Sequence, residues 1–211
     1  SGKGTQAELL SQNFCYCKFS SGDIFRNHIL KNTPEGLEAK KVMDKGELLS
    51  DDLAYRMLNI KNFLDQEYCK YGVVLEGFPR TISHAVYLKD VLNKQSTGRR
   101  EIDSVVSILV DEEELVRRVK GRLIHVPSGR TYHETLSPPK VEGKDDLTGE
   151  ELVKRSDESM ILKRIRTFNT ETSLLFDYYG SSVLKVNGDQ KIKQVHEEIV
   201  NKAGLRNKSS K

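Results

Sequence analysis

The chain has no tryptophan, only three cysteines and five prolines among 211 residues, and no apolar run that approaches a membrane span. Each scarcity narrows the choices. Cysteines this few and oddly numbered exclude a secreted disulfide scaffold, and Cys15-x-Cys17 falls in a stretch that reads as a buried strand, so core thiols in a reducing compartment are expected. An intracellular location is expected, in the cytoplasm before the mitochondrion, and it stays open because any targeting peptide would lie upstream of Ser1. A membrane helix needs about 20 apolar residues in succession, and none is expected here. Charge of one sign is also lacking: 34 Lys and Arg stand against 31 Asp and Glu, a net of +3 that is too balanced for a dedicated nucleic-acid or membrane surface. A chain of 211 residues can bury a substantial core, as one domain with insertions or as two small ones.

A starting Met is absent too, and the chain opens in the middle of a motif. Ser1-Gly2-Lys3-Gly4-Thr5 has the form of the closing half of a phosphate-gripping loop. In such a loop glycines let backbone N–H groups converge on phosphate oxygens, a lysine reaches the outer phosphates, and the following helix adds positive potential at its N-terminus. Lys3, Thr5 and a helix around residues 7–10 fit those roles. On its own, so short a glycine-rich turn equally describes an ordinary loop-to-helix junction. The full signature needs an earlier glycine and a preceding strand, so the sequence reads as truncated at its N-terminus inside the loop.

Short apolar runs alternate with amphipathic patterns, the sign of a parallel sheet covered by helices, and the class is α/β. Strands are predicted at residues 15–19, 72–76, 104–110 and 183–187. Ser50-Asp51-Asp52 starts a helix with a hydroxyl cap and early acids, and Leu53, Met57, Ile60 and Leu64 follow at helical spacing. Asp111 is expected to cap a helix over 112–120 in the same way. Between Gly121 and Arg155 the alternation fails, with Pro127, Gly129, Pro138, Pro139, Gly143 and Gly149 among polar residues, which marks an inserted lobe. Within it, residues 123–125 and 130–133 suggest a hairpin.

Arginine placement is the second signal. Arg26, Arg80, Arg118, Arg122, Arg155 and Arg164 stand at helix starts, strand ends or lobe junctions, positions that face the cleft of an open α/β sheet. Any one of them alone reads as solvated surface. Arg80, however, belongs to Glu76-Gly77-Phe78-Pro79-Arg80-Thr81, directly after a predicted buried strand, where a planar fork suits phosphate. Glu76 at the strand's end is placed to hold Mg2+ through water.

Ser1-Gly2-Lys3-Gly4-Thr5-Gln6, Ser21-Gly22-Asp23, Gly77-Phe78-Pro79-Arg80 and the lobe together resemble adenylate kinases, over essentially the whole chain. Most specific is the lobe, with Gly121-Arg122-Leu123-Ile124-His125, Ser128-Gly129-Arg130-Thr131-Tyr132-His133, Pro138-Pro139-Lys140 and Asp145-Asp146-Leu147-Thr148-Gly149-Glu150. That stretch is similar to the long-lid form, and short-lid uridylate-cytidylate kinases lack it. The resemblance implies a P-loop nucleoside triphosphatase-type fold. Its core would comprise 1–20, 50–120 and 156–211, with a helical AMP-binding segment over 21–49, a small β-containing lid over 121–155, and a central first strand missing from this chain.

It further implies a phosphotransferase with a phosphate group as acceptor, in which Mg2+-dependent exchange between ATP and AMP gives two ADP, acting as a monomer without nucleic-acid or membrane partners. The lid of these enzymes gates the reaction by closing over bound substrate. Ser1, Gly2, Lys3, Gly4 and Thr5 are then the ATP phosphate grip, and Arg118, Thr131, Tyr132 and Gln190 flank the ATP base and ribose. Ser21, Gly22 and Arg26 meet AMP, with Gly77 beside it. The backbone over Glu47, Leu48 and Leu49 meets its adenine together with His84, and Arg80 meets its phosphate. Arg122, Arg155 and Arg164 clamp the transferred phosphoryl, so Lys3, Arg80, Arg122, Arg155 and Arg164 carry catalysis.

The chain departs from the family pattern at several places. His84 stands where the family has Gln, which predicts weaker AMP selectivity or a shifted base pocket. Glu76 replaces an Asp. Arg164 follows Arg155 at an interval two residues shorter, about 200° of helix rotation. Where some relatives hold four cysteines, the lobe has His125, Ser128, Asp145 and Thr148, a poor zinc set that predicts a hydrogen-bonded cluster instead. Without the upstream strand, residues 1–211 alone are expected to be unstable and inactive. A GTP donor and a non-catalytic nucleotide-binding relative stay open as alternatives. A regulatory GTPase is disfavoured, since no guanine-reading motif follows the loop.

Overall fold

The computed structural model describes residues 1–95, 100–154 and 158–206. Helix α1 (Lys3–Phe14) leads into β1 (Cys17–Ser20), which pairs parallel with β2 (Val73–Glu76), Cys17 opposite Val73 and Ser20 opposite Glu76. A second parallel pair joins β3 (Val105–Leu109) to β7 (Val183–Asn187), Val105 opposite Val183. The strands expected at 72–76 and 104–110 have slightly tighter ends, that at 183–187 has the expected bounds, and the first, expected at 15–19, is shifted to Cys17–Ser20. Among the described residues no strand lies between β2 and β3, and packing joins the two pairs. Leu10 and Phe14 of α1 meet Val186 of β7 and Val195 and Ile199 of α10 (Ile192–Lys202), while Val74, Val106 and Ile108 pack against the same cluster. On the other face, Phe19 packs with Phe78 and with Leu88, Val91 and Leu92 of α6 (Ile82–Asn93).

Two helix expectations need correction. The spacing of Leu53, Met57, Ile60 and Leu64 predicts one helix, but the chain breaks at Asn59, whose φ of 42° is left-handed, into α4 (Asp51–Leu58) and α5 (Ile60–Leu64). Asparagine tolerates that conformation better than most residues. All four apolar residues are still buried, so the periodicity located the core face and missed the bend. Ser50 caps α4 as expected, its Oγ accepting from Leu53 N at 3.4 Å. Asp111 does occupy the N-cap of α7 (Glu112–Lys120), but its side chain makes no cap bond; instead its own N–H donates to Asp189 Oδ2 at 3.2 Å.

Helices α2 (Ser21–Leu30) and α3 (Pro34–Met43) approach so closely at Gly36 that a Cβ there would sit 2.2 Å from His28 O. The lobe is a three-stranded antiparallel sheet, with β4 (Arg122–Ile124) between β5 (Thr131–His133) and β6 (Val153–Lys154), and contains the expected hairpin. Helix α8 (Glu158–Thr167) runs into a π turn over Phe168–Thr172 and then α9 (Leu174–Tyr179). Thr167, Thr170 and Ser173 hydroxyls donate to carbonyls four residues back, at 3.0, 3.2 and 2.7 Å, a pattern that bends helices. No helix among the described residues is long and apolar enough to cross a membrane.

The cysteines differ from expectation. Cys15 is not in the strand; it caps α1 in a left-handed conformation, exposed and free. Cys17 and Cys69 are joined as a disulfide, their Cα atoms 5.1 Å apart, which ties β1 to the turn preceding β2. A reducing compartment therefore no longer follows from the thiols. The bridge closes a loop of 52 residues, for which chain entropy alone sets an upper value of about 4 kcal/mol. Urea unfolding of oxidised and reduced protein should differ in this direction, with the oxidised form more stable by up to about that amount; equal midpoints would contradict the cross-link.

Candidate active site

The site is assembled at the carboxyl ends of β1 and β2. Gly2 takes φ 85°, the left-handed turn that glycine permits, and α1 starts directly after it. No acid and no side-chain cap sits in that first turn, and a Cβ on either Gly2 or Gly4 would meet nothing within 4 Å. The helix N-terminus is thus positive and approachable. Lys3 Nζ reaches Glu76 Oε1 at 2.7 Å, and Ser20 Oγ donates to Glu76 Oε2 at 2.7 Å, so the two strand ends and α1 meet on one carboxylate. Burial alone would raise the pKa of Glu76; Lys3, Ser20 and Arg80 outweigh it and hold it at about 2, which keeps it ionised.

After Glu76 the chain turns at Gly77, φ 80°, where a Cβ would lie 2.5 Å from the buried Ser21 Oγ. Arg80 follows, its Nε donating to Gly77 O at 3.1 Å. Around it gather Arg26 of α2, ion-paired with Asp23, Arg122 of β4 and Arg164 of α8. Each of Arg80, Arg122 and Arg164 has its pKa lowered, first by burial. Like charges add to this: Arg164 acts on Arg80, Arg26 and Arg164 act on Arg122, and Arg26 acts on Arg164. Glu76 and Asp23 supply the opposing charge. Guanidinium groups from core and lobe converge on a space short of negative charge, which polyphosphate supplies.

Arg164 is thus in the cluster despite the shortened interval, and Arg166 is exposed, with the π turn re-phasing the helix just beyond. Arg155 lies outside the described residues. Arg118 is held by Glu114 at 2.6 Å and by Gly188 O at 2.9 Å, and Gln190 by Glu198 at 2.8 Å, so both stand where β7 ends. A cavity of about 500 Å³ opens there, but Asp111, Asp189 and Glu198 against Lys185 and Lys202 give it no preference for an anion. Thr131 is exposed on β5. Leu49 is buried in a core cluster, so only backbone remains to meet a ligand there; Glu47 pairs with Lys163 at 2.9 Å. Gly22 leaves room for Arg26, whose Nη1 would be 3.1 Å from a Cβ.

His84 is buried. Its Nδ1 accepts from Arg80 N at 3.3 Å, which leaves the proton on Nε2. Nε2 lies 3.0 Å from Asp51 Oδ1, an ion-pair distance, yet its direction misses a hydrogen bond.

In the lobe, His125, Ser128, Asp145 and Thr148 form the hydrogen-bonded cluster expected of them. His125 Nδ1 meets Ser128 Oγ at 2.7 Å and Thr148 Oγ1 bonds Asp145 at 3.1 Å. The sequence reading missed three partners. Arg130 grips Asp145 bidentately at 2.8 and 2.7 Å, Tyr132 OH donates to it at 2.9 Å, and Glu150 meets His125 Nε2 at 2.6 Å. Strand alternation could have found two of them, since Arg130 and Tyr132 share one face. The Arg130 guanidinium holds the Asp145 carboxyl well below the usual carboxylate range. Tyr132 therefore spends its hydroxyl inside the lobe.

A glycine turn at a helix N-terminus, parallel strand ends and converging guanidinium groups define a P-loop-type nucleotide-binding α/β protein that handles polyphosphate. The family model described as Adenylate kinase matches residues 1–184. An adenylate kinase of Kluyveromyces lactis is 41% identical over 203 residues, covering 94% of this chain and 88% of that protein. One of Laccaria bicolor is 45% identical over 181 residues, covering 84% and 69%. Adenylate kinase 4 of Oryza sativa subsp. japonica is 38% identical over 203 residues, covering 94% and 82%. The chain belongs to the adenylate kinase family, enzymes of phosphoryl transfer between adenine nucleotides.

One consequence of the His84 geometry is a pH dependence. Burial pushes the His84 pKa below its usual value, with Asp51 opposing. The folded state therefore takes up that proton less readily than the unfolded chain, so this contribution to stability is complete above about pH 6.5 and declines as pH falls through the lower folded value. For one proton the slope is at most about 1.4 kcal/mol per pH unit. Comparing urea midpoints from pH 7.5 to 5 should show a flatter acid limb in His84→Gln; identical limbs would remove His84 as the cause.

Proposed function

We propose that this chain transfers the terminal phosphoryl of ATP to AMP, giving two ADP, with residues 21–49 binding the acceptor and 121–155 closing as a lid. The observation that carries this is the convergence of Arg26, Arg80, Arg122 and Arg164 with Lys3 around Glu76 and Asp23. ATP and AMP together bring about six negative charges, comparable to what these cations, joined by Arg118, Arg155 and Mg2+ and less the two carboxylates, can neutralise. In the reaction the bond from the terminal phosphorus to the bridging oxygen of ATP breaks as a bond to an AMP phosphate oxygen forms. No protein group has to become covalently attached, so alignment and charge neutralisation are the protein's task.

Lys3 and the first turn of α1 bind the donor phosphates; Arg80 and Arg26, with Ser21, bind the acceptor phosphate; Arg122, Arg155 and Arg164 stabilise charge on the group in flight. Arg118, Thr131 and Gln190 flank the donor base and ribose. His84 borders the acceptor base, and its engagement with Arg80 N and Asp51 supports a base pocket less selective than an amide would make. The residues present fit Mg2+: Glu76 is held ionised at the strand end beside Lys3, the carboxylate such an ion meets through water. Bound there with the nucleotide, Mg2+ would add positive charge against the phosphates.

Coupled assays of ADP formation by protein carrying the complete phosphate loop and its strand, with ATP or GTP as donor and AMP, CMP, UMP or GMP as acceptor, test the reading. The expected result is ATP-to-AMP turnover with measurable use of another acceptor; nucleotide binding without any turnover would sink it. Arg122→Ala should lower kcat by at least about a thousandfold while circular dichroism stays unchanged. Near-normal turnover of that variant would remove Arg122 from catalysis.

A further inference from the structure

His133 ends β5 directly opposite Arg122 in the β4–β5 register. Its imidazole is fastened at one side. Nδ1 accepts from Thr135 N and Leu136 N, both at 3.1 Å, so the ring is neutral at that nitrogen and carries its proton on Nε2. The other edge lies over Gly121, where a Cβ would meet Cε1 at 2.5 Å and Nε2 at 2.8 Å. Glu134 N also donates to Gly121 O at 2.8 Å, clamping the same residue from the backbone. Nε2 is buried with no hydrogen-bond partner. Leaving such a donor unsatisfied costs on the order of 1–3 kcal/mol, and an asparagine could accept the two turn N–H groups without that cost. What the imidazole adds beyond an amide is the bulk that sits on Gly121.

Gly121 is the C-cap of α7, with φ −90° and ψ 7°, a backbone conformation open to any residue. Its need for glycine therefore comes from the ring above it. It is also the one residue between α7 and Arg122. Burial and then Arg26 and Arg164 act against the Arg122 charge while Glu76 and Asp23 favour it from a distance, and among the described residues no carboxylate stands within ion-pair distance of it. A guanidinium in that setting keeps its place through its backbone.

We infer that His133 is a positioning residue for Arg122, its ring acting as a wedge on Gly121 that fixes the junction from α7 into β4. The inference rests on the catalytic reading of Arg122 and adds a residue to it. A misplacement of about 1 Å can cost a hundredfold in rate, so loss of the wedge appears in turnover. His133→Asn, which keeps the acceptor for the turn, should lower kcat about tenfold or more with the KM for AMP within about twofold. Gly121→Ala, which forces the ring away from the other side, should do the same, and it keeps the test open if His133→Asn folds poorly. The double variant Gly121→Ala/His133→Asn, in which a methyl fills the vacated space, should recover to within about threefold of the parent.

In an Arg122→Ala background, His133→Asn should cost less than about twofold more, because its effect runs through Arg122. The inference is overturned by near-parent kcat of His133→Asn while Arg122→Ala is inactive, or by an equal loss in both backgrounds. Near-parent turnover of Arg122→Ala would instead remove the catalytic reading itself, so the two failures are told apart.

Discussion

Lys3 and Arg80 both act on the one carboxylate of Glu76, while Arg26 and Arg164 press on Arg122 nearby. Two like charges about 6 Å apart repel by roughly 3 kcal/mol at the dielectric effective near a protein surface. Several such pairs cannot be held by side-chain preference alone, and each guanidinium comes from a backbone that something else anchors. Arg80 is tied through its Nε to Gly77 O and through its N–H to His84. Arg26 leans on Asp23 over the small Gly22. Arg122 follows the Gly121 junction under His133. The cluster is thus under electrostatic tension that a phosphate-rich ligand would relieve, and on the proposed reading that would couple ligand binding to lobe position.

The lobe needs its own rigidity to deliver Arg122 into that field, and it gets it from a buried anion. Asp145 is almost fully enclosed, yet it accepts six hydrogen bonds, two from Arg130, one each from the Tyr132 and Thr148 hydroxyls, and one each from the backbone of Leu147 and Thr148, more than the about four lone-pair sites of a carboxylate, so some are shared. A buried charge so completely satisfied specifies one arrangement of the loops around it. Removing the Arg130 guanidinium would leave desolvated charge behind, so the polar side chains of this cluster hold one another in place. Gly129, at the tip of the same hairpin, comes close enough to Asp23 that a Cβ would sit 3.1 Å from Oδ1. The hairpin therefore approaches the segment that carries Arg26.

Much of this was legible in the residues, and the gaps have physical causes. Strands β2, β3 and β7 announced themselves through β-branched runs, and the strand-end position of Arg80 followed from Gly77 and Pro79. The bend at Asn59 was invisible because burial of Leu53, Met57, Ile60 and Leu64 preserves helical periodicity across it. The disulfide was missed because an odd cysteine count argues against a scaffold and says nothing about two strands brought together by pairing. Cys17 and Cys69 meet only once β1 lies beside β2. The reading of Asp111 was right in position only: it holds the N-cap of α7, but its side chain makes no cap bond, and the residue is tied instead by its backbone N–H to Asp189 across the fold.

The acceptor side shows how one substitution spreads. A glutamine at position 84 would present an amide with a donor and an acceptor on the same end. His84 turns Nδ1 to the backbone of Arg80 and Nε2 toward Asp51, so one edge is hydrogen-bonded and the other lies beside a carboxylate without bonding it. The imidazole also packs against Phe78, ring centroids 4.9 Å apart, and Tyr55, 5.7 Å apart. On the proposed reading of the acceptor side, base and phosphate recognition are joined through a single ring, because His84 and the backbone of Arg80 share a hydrogen bond. If His84 borders the acceptor base and Arg80 its phosphate, as proposed, affinity for the acceptor depends less on reading a base edge than on the guanidinium beside the same histidine.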